Sequence, residues 1–255
     1  MVDVYCYWDK DLDFMPPMIK YIYNHNVNIS KKYNFNYILI SDNNVEKYIE
    51  VPKRFYTLAS NFKSDIVRFY ILHKYGGVWF DSDIIITKDI NILYKKFKNT
   101  GKCMMLDVEF GSKIGCASLC ILPNTSASLE SINYIENILK NNNKLSWKQL
   151  GPDNISNIYK NYKNDIIVND KNHVIKGCNF ISWKEKPGIN RQNWYFDSIE
   201  KAKIKADSLI NNPDCFYLIT WTIYRINDIK GDVIKFIFED ENSVFSHVVR
   251  HSINA

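Results

Sequence analysis

The segment of residues 64–83, SDIVRFYILHKYGGVWFDSD, constrains the fold more than any other part of the chain. Its first half repeats apolar residues at helical spacing, and Gly76 and Gly77 then interrupt the pattern as a helix C-cap does. The β-branched and aromatic run that follows is typical of a strand, and Asp81 and Asp83 interrupt it. The segment therefore predicts a helix, a tight turn and a strand that carries two carboxylates.

Strand and helix patterns alternate along the first half of the chain, which predicts an α/β fold. We expect a Rossmann-like, mostly parallel sheet flanked by helices. The 255 residues fit one domain, and 9 glycines and 7 prolines leave no long linker. Strands are predicted at 2–8, 36–41, 78–87, 115–122, 166–168, 180–183, 216–221 and 233–238, and helices from 16–17, over 58–75, over 126–140 and from 151–152.

Charge and hydropathy exclude several classes of protein. The net charge of +5 comes from lysines spread along the chain, so no basic block indicates nucleic acid as a partner. No apolar run approaches the roughly 18–20 residues of a transmembrane segment. Asp3, Asp9 and Asp11 lie where a signal peptide would be basic and then apolar. These features predict a soluble cytoplasmic protein and leave membrane association through a partner open.

Asp81 and Asp83 are candidate metal ligands. On an extended chain, side chains two residues apart point to the same face, so both carboxylates could reach one ion. Hard oxygen ligands suit Mg²⁺ or Mn²⁺, and the carboxyl end of a strand is where open α/β sheets bind ligands. A solvated turn would explain a bare Asp-x-Asp pattern equally well, but the apolar run before Asp81 favours the metal site.

Asp65 and Arg68 are three residues apart on the preceding helix and share one face. They could form a surface ion pair worth at most about 1 kcal/mol. They could also form a hydrogen-bonding fork for hydroxyls or phosphate, which a guanidinium supplies.

Together these residues resemble the signature of the DxD sugar-transferase superfamily, S-D-x-x-R-x-x-x-L-x-x-Y-G-G-V-[WY]-x-D-x-D. The superfamily includes glycosyltransferase family 32, with yeast outer-chain mannosyltransferases and bacterial capsule enzymes, and the large clostridial glucosylating toxins. The matching residues are Ser64, Asp65, Arg68, Leu72, Tyr75, Gly76, Gly77, Val78, Trp79, Asp81 and Asp83.

This resemblance implies a GT-A fold, a nucleotide-sugar donor and a Mn²⁺ or Mg²⁺ ion that joins the donor diphosphate to Asp81 and Asp83. Asp65 and Arg68 would hold hydroxyls of the donor sugar. The resemblance favours UDP-sugars over GDP-sugars and implies a glycan, glycolipid or protein acceptor. It also implies retention of configuration, with attack by the acceptor on the face that the diphosphate leaves. Residues 1–125 would bind the donor, and residues 126–255 would form the acceptor side.

Other positions match the family more loosely. Trp8 is similar to the family residue that stacks on the nucleotide base, and Gly151 with Pro152 resembles its Gly-Pro turn. Many members carry His-x-Trp near the C-terminus, whereas this chain has Thr220 and Trp221; His247 is then a candidate third metal ligand. The resemblance predicts a donor-binding set of Tyr5, Trp8, Ser64, Asp65, Arg68, Tyr75, Gly77, Ser82, Thr220 and Trp221.

Three other functions compete. A transferase fold could bind a sugar nucleotide without turnover, and the missing His-x-Trp keeps this alternative open. Phosphatases of the haloacid-dehalogenase type also follow an apolar strand with Asp-x-Asp, but they usually have Thr or Val where this chain has Ile85. A host-modifying toxin would need accessory regions that 255 residues do not show. Four aromatic residues could line an acceptor groove or pack in a core: Trp183, Trp194, Tyr195 and Phe196.

Overall fold

The computed structural model describes residues 1–109, 113–169, 199–219 and 243–254, with single residues at 235, 239 and 241. In this part of the chain the strands are β1 (Asp3–Tyr7), β2 (Asn36–Ile40), β3 (Gly77–Phe80), β4 (Ile84–Ile86), β5 (Met104–Glu109), β6 (Lys113–Ile121), β7 (Ile166–Asn169) and β8 (Tyr217–Ile219). The helices are α1 (Pro17–Tyr33), α2 (Ser60–Tyr75), α3 (Ile90–Lys98), α4 (Ser126–Asn141), α5 (Pro152–Tyr162), α6 (Ile199–Ile210) and α7 (Val244–Asn254).

The chain forms two compact units. The first contains residues 1–15, 34–82 and 91–170, and its six-stranded sheet has the order β2-β1-β3-β6-β5-β7. Strand β1 is parallel to β2 and β3, and β5 is parallel to β7, whereas β6 is antiparallel to both of its neighbours. Helices α2, α4 and α5 belong to this unit. Helices α2 and α5 contact the sheet, and α4 contacts both of these helices. The predicted α/β fold with a mostly parallel sheet flanked by helices is confirmed, and the predicted single domain over residues 1–255 stays a prediction.

Buried apolar residues explain why the first unit folds this way. All four residues of β3 are buried, as expected for a strand covered on both faces. Helix α2 turns Ile66, Phe69 and Leu72 toward the core, where each is fully buried. The core therefore fixes α2 against β3, the two elements that carry the signature residues.

The strand predicted over 78–87 is wrong as a single element. Strand β3 ends at Phe80, Ser82 and Asp83 form a turn, and Ile84–Ile86 forms β4, which pairs with β8 in a separate two-stranded sheet. The polar residues after Phe80 favour a turn over a buried strand. The same-face argument for the two carboxylates, which assumed an extended chain, therefore does not apply.

The second unit contains residues 16–33, 83–90 and 171–255. In this unit, side chains of α1 form hydrogen bonds to the backbone of β4, as a neighbouring strand would. The Asn26 amide donates to Ile84 O at 2.8 Å and accepts from Ile86 N at 2.8 Å. His25 Nε2 donates to Ile86 O at 2.9 Å. Both side chains are buried, so they satisfy backbone groups that would otherwise be costly to bury.

None of the helices in the described part of the chain combines the length and the apolar character that a membrane span needs. Predicted strands at 180–183 and 233–238 lie outside the described residues.

Burial makes His25 a source of acid sensitivity. Burial lowers the pKa of His25 below its ordinary value of about 6.5, and the bond to Ile86 O opposes this only in part. The unfolded chain then binds more protons than the folded chain below pH 6.5, so stability should fall as pH decreases from about 6.5 toward the folded-state pKa. We expect His25→Gln, which keeps a donor for Ile86 O, to flatten this decline in urea unfolding between pH 7.5 and 5. His251→Gln, at an exposed position on α7, should leave it unchanged.

The turn between α2 and β3 requires glycine twice. Gly76 caps α2 with a φ of 68° and donates to Leu72 O at 2.9 Å, which confirms the predicted C-cap. Gly77 follows with a φ of 104°, and a Cβ there would lie 2.5 Å from Asp3 O. Backbone atoms cannot move aside as a flexible side chain does, so β1 and β3 can pair this closely only around a glycine.

A pair of glycine variants separates backbone strain from steric exclusion. Gly101 also has a positive φ, 69°, but a Cβ there would meet nothing within 4 Å. We expect Gly101→Ala to lower the free energy of unfolding by about 1 kcal/mol and Gly77→Ala by about 3 kcal/mol or more, because only the second variant adds a clash. Urea denaturation measures both; equal losses would contradict the close approach of Gly77 to β1.

Candidate active site

The carboxyl ends of the parallel strands meet at one edge of the six-stranded sheet. Trp8 follows β1, Asp42 lies just beyond β2, and Asp81 follows β3 directly. The first half of α2 reaches the same edge, because the helix runs antiparallel to β3 and its Arg68 bonds to Asp81. The fold therefore gathers polar side chains where α/β sheets bind ligands.

Arg68 is the centre of this cluster. Its Nη2 donates to Asp81 Oδ1 at 2.9 Å and to Ser64 Oγ at 3.2 Å, and lies 3.3 Å from Asp65 Oδ1. Its Nη1 donates to the carbonyl oxygen of Cys116 on β6. Arg68 is only 3% exposed, and a buried cation is tolerated only when it is paired and hydrogen-bonded in this way.

The two oxygens of Asp81 have different environments. Oδ1 accepts from Arg68 and, at 2.9 Å, from Trp79 Nε1. Oδ2 has no hydrogen-bond partner among the described residues, and the Asp81 side chain is 31% exposed. Surrounding protein raises the pKa of Asp81, while Arg68 and the Trp79 donor act to lower it. The cluster thus fixes one oxygen and leaves the other available to a ligand.

Asp65 is more deeply buried, with 6% of its surface exposed. Burial raises the pKa of its carboxyl to about 7; Arg68 opposes this rise and Asp81 adds to it. The carboxylate lies directly against Gly151, where a Cβ would be 2.6 Å from Oδ1. Gly151 is the N-cap of α5, so Asp65 lies at the positive end of that helix.

A second polar group lies at the ends of β1 and β2. Tyr7 Oη donates to Asp42 Oδ1 at 2.5 Å, and Lys63 Nζ donates to Asp42 Oδ2 at 2.5 Å. Lys63 is buried on the first turn of α2. Trp8, half-buried beside them in the chain, has an Nε1 that is enclosed yet lacks a partner among the described residues. An enclosed indole N–H without a partner is unusual and is a donor available to a ligand.

Several predicted donor-binding residues lie elsewhere. Tyr5 is 2% exposed, and its hydroxyl donates to Asp3 at the opposite end of β1 from Trp8. Tyr75, at the last residue of α2, donates to Tyr48 O at 2.8 Å, and Gly77 begins β3. Because β3 runs from Gly77 toward Asp81, these residues are at the far edge of the sheet. Ser82 lies in the turn after Asp81, and Thr220 and Trp221 lie outside the described residues.

His247 belongs to the second unit, on α7. Its Nε2 donates to Glu241 O at 2.7 Å, and its Nδ1 accepts from Arg250 Nη2 at 3.1 Å. A metal ion could bind this imidazole only by replacing one of these two contacts. Its role as a metal ligand stays a prediction, as do the other site roles.

The carboxylate chemistry at Asp81 fits a Mg²⁺ or Mn²⁺ ion whose other ligands are mainly water and substrate phosphates. Among the described residues, no three His, Cys, Asp or Glu side chains are grouped to hold a metal. Asp81 nevertheless offers Oδ2, which has no hydrogen-bond partner among the described residues, and Asp83, two residues on, belongs to the second unit. Mg²⁺ usually takes one or two carboxylates and completes its shell with water and substrate phosphates. The carboxylate of Asp81 is therefore chemically sufficient as a protein ligand of such an ion.

Residues 1–106 match the family model of the capsular polysaccharide synthesis protein. This segment includes Asp65, Arg68, Asp81 and Asp83, and it confirms the predicted resemblance to transferases that include capsule enzymes. No curated protein matches the chain.

Three solved structures are similar to this chain. The PaToxG glycosyltransferase is 16% identical, with a TM-score of 0.44, over 64% of this chain and 70% of that one. A glycosyltransferase involved in glycosylation of the major capsid of PBCV-1 is 10% identical, with a TM-score of 0.42, over 66% and 81%. The UDP-bound glycosyltransferase domain from the YGT toxin is 12% identical, with a TM-score of 0.24, over 56% and 45%.

The sequence did not lead us to predict the contact between Gly151 and Asp65. It also did not lead us to single out the buried carboxylate of Asp107. Asp107 is 2% exposed near the end of β5, a strand that runs parallel to β3. A carboxylate after an apolar run, MMLD, repeats the pattern VWFD that identified Asp81, so this signal was present. The contact between Gly151 and Asp65 had no such signal, because 85 residues lie between them in the chain.

A double-mutant cycle tests whether Gly151 makes room for Asp65. The φ of Gly151 is −103°, so Gly151→Ala needs no left-handed backbone, and the clash with the carboxylate is the main cost. We expect it to lower the free energy of unfolding by about 1–3 kcal/mol and to lower the activity of the site. In an Asp65→Ala background the same change should cost less than half as much. Additive losses in urea denaturation would show that another contact is responsible.

Proposed function

We propose that this chain is a metal-dependent glycosyltransferase of the GT-A type. It moves a sugar from a nucleotide-sugar, a UDP-sugar in preference to a GDP-sugar, to a glycan, glycolipid or other acceptor with retention of configuration. The capsular polysaccharide synthesis match supports this class of reaction, since it covers the part that contains the signature.

The observation that carries the proposal is the asymmetric pairing of Asp81. Arg68 and Trp79 hold Oδ1, while Oδ2 has no partner among the described residues and the side chain is 31% exposed at the carboxyl edge of the sheet. A purely structural ion pair would use both oxygens inside the protein. A carboxylate with one oxygen fixed and the other open is prepared to bind an external cation.

The charges of the cluster suit departure of a nucleoside diphosphate. When bound, Mg²⁺ or Mn²⁺ acts as a Lewis acid that stabilises the negative charge on the leaving diphosphate. Arg68 fixes the Asp81 carboxylate and, with Asp65, presents hydrogen-bonding groups to the donor sugar. The bond from the anomeric carbon to the diphosphate oxygen breaks, the acceptor hydroxyl oxygen bonds to that carbon on the same face, and its proton passes to the departing diphosphate.

The first experiment is a scan of UDP- and GDP-sugars with Mn²⁺ or Mg²⁺ that measures release of free nucleoside diphosphate. We expect slow, metal-dependent hydrolysis of one donor. Asp81→Asn and Asp83→Ala should each reduce it at least about 100-fold, because removing one stabilising group at a developing charge has effects of this order. Asp165→Ala, at an exposed site before β7, is the matched control and should keep the wild-type rate.

Other outcomes identify the competing functions. Metal-dependent binding of a nucleotide-sugar without release of diphosphate would indicate a binding module. Hydrolysis of p-nitrophenyl phosphate that is lost in Asp81→Asn would indicate a phosphatase. The absence of both binding and release would overturn the donor-site assignment.

A further inference from the structure

Trp147 exposes an aromatic surface near the candidate active site. Its side chain is 66% exposed, whereas Trp79 is fully buried and Trp8 is half-buried. A single apolar residue on a surface needs no explanation by itself. For Trp147, however, the local structure and the position in the chain suggest a reason for its exposure.

The turn that carries Trp147 is held rigidly. Gln149 N donates to Ser146 O at 3.1 Å, and Ser146 N donates to the Gln149 side chain at 2.7 Å. Leu150 is fully buried and anchors the end of the turn, and Asp153 N donates back to Lys148 O at 3.0 Å. An aromatic residue on a fixed backbone turn binds a ligand with little loss of backbone conformational freedom.

Arg54 fixes the other end of this loop. Its Nη1 donates to the carbonyl oxygens of Leu139 and Asn142 at 2.7 Å each, and its Nη2 donates to Asn143 O at 3.0 Å. The bond to Leu139 O satisfies one of the last carbonyl groups of α4, and the bonds to Asn142 and Asn143 fix the point where the chain leaves that helix. Both sides of the Trp147 turn are therefore secured by buried or multiply bonded groups.

The turn leads directly to the site. Gly151, which touches the Asp65 carboxylate, is four residues after Trp147, and four residues of chain span at most about 14 Å. That length is comparable with a short oligosaccharide. An acceptor saccharide that meets the donor sugar beside Asp65 is therefore long enough to reach Trp147.

The chemistry of the turn suits a sugar. The segment 142–149, NNKLSWKQ, has no acidic residue and carries amide, hydroxyl and ammonium side chains on both sides of Trp147 in the chain. An indole face packs against the C–H face of a pyranose, while these polar groups bond to its hydroxyls. We propose that Trp147 is a stacking platform for the acceptor, and that the acceptor is a saccharide; this rests on the proposed transferase function.

Fluorine NMR tests the platform without relying on activity. The chain has 6 tryptophans, and in protein labelled with 5-fluorotryptophan the Trp147 resonance is the one that Trp147→Phe removes. The probes are methyl glycosides of glucose, galactose, mannose, rhamnose and N-acetylglucosamine and their disaccharides. We expect at least one to shift the Trp147 resonance saturably. If none does, or if only phosphatidylglycerol vesicles do, the saccharide assignment is overturned.

A second measurement uses the ratio of transfer to hydrolysis with the donor found active. We expect Trp147→Ala to lower this ratio about tenfold at subsaturating saccharide, the factor that one aromatic contact supplies. Trp147→Phe should restore most of it, and Leu129→Ala, an exposed residue on α4, should leave it unchanged. An unchanged ratio in Trp147→Ala would overturn the proposal. If no donor is hydrolysed, the transferase function fails, and the NMR titration still decides whether Trp147 binds sugar.

Discussion

The buried guanidinium of Arg68 determines how the rest of the site is arranged. A cation that is 3% exposed would be strongly destabilising without partners, so the fold must bring a carboxylate and carbonyl oxygens to it. Those partners come from three elements: α2 itself, the residue after β3, and Cys116 on β6. The same bonds that make the cation tolerable therefore fix the relative positions of α2, β3 and β6.

One arginine thus gives two carboxylates different properties. Asp65 is enclosed between Arg68 and Gly151, and burial raises its pKa to about 7. Asp81 shares the same guanidinium, but its side chain is 31% exposed. Two acids with different environments can serve different roles, one toward the donor sugar and the other toward a cation. This difference follows from the surroundings of the two carboxyls, that is burial, Arg68 and the Trp79 donor, since both residues are aspartates.

The sequence predicted the parts of this arrangement that depend on local spacing. Helical periodicity in residues 58–75, the glycine pair and the apolar run before Asp81 located α2, the turn and β3. The prediction that β3 continues through Asp83 was wrong, because β-branched residues on both sides of a turn produce the same composition as one long strand. Only pairing with different partners, β6 for β3 and β8 for β4, distinguishes the two cases.

Contacts between distant parts of the chain were not predictable in this way. Nothing in the neighbourhood of Gly151 indicates that its missing side chain accommodates Asp65, and nothing near Arg54 indicates that it ends α4. Tyr5, Tyr75 and Gly77 were assigned to donor binding by resemblance, yet the structure places them away from Asp81. Motif spacing identifies which residues belong to one segment, whereas the direction of the strand decides which edge of the sheet they reach.

The hydrogen bond from Trp79 to Asp81 also links the candidate site to the ultraviolet spectrum of an indole. The indole N–H donates to the same carboxylate whose other oxygen is open, at 2.9 Å. A positive charge on Oδ2 withdraws electron density from Oδ1 and weakens its attraction for the indole proton. The ultraviolet absorption and emission of a buried indole respond to such a change in local field. The proposed binding of a cation at Asp81 can therefore be followed optically without a label, by comparison with a Trp79→Phe chain.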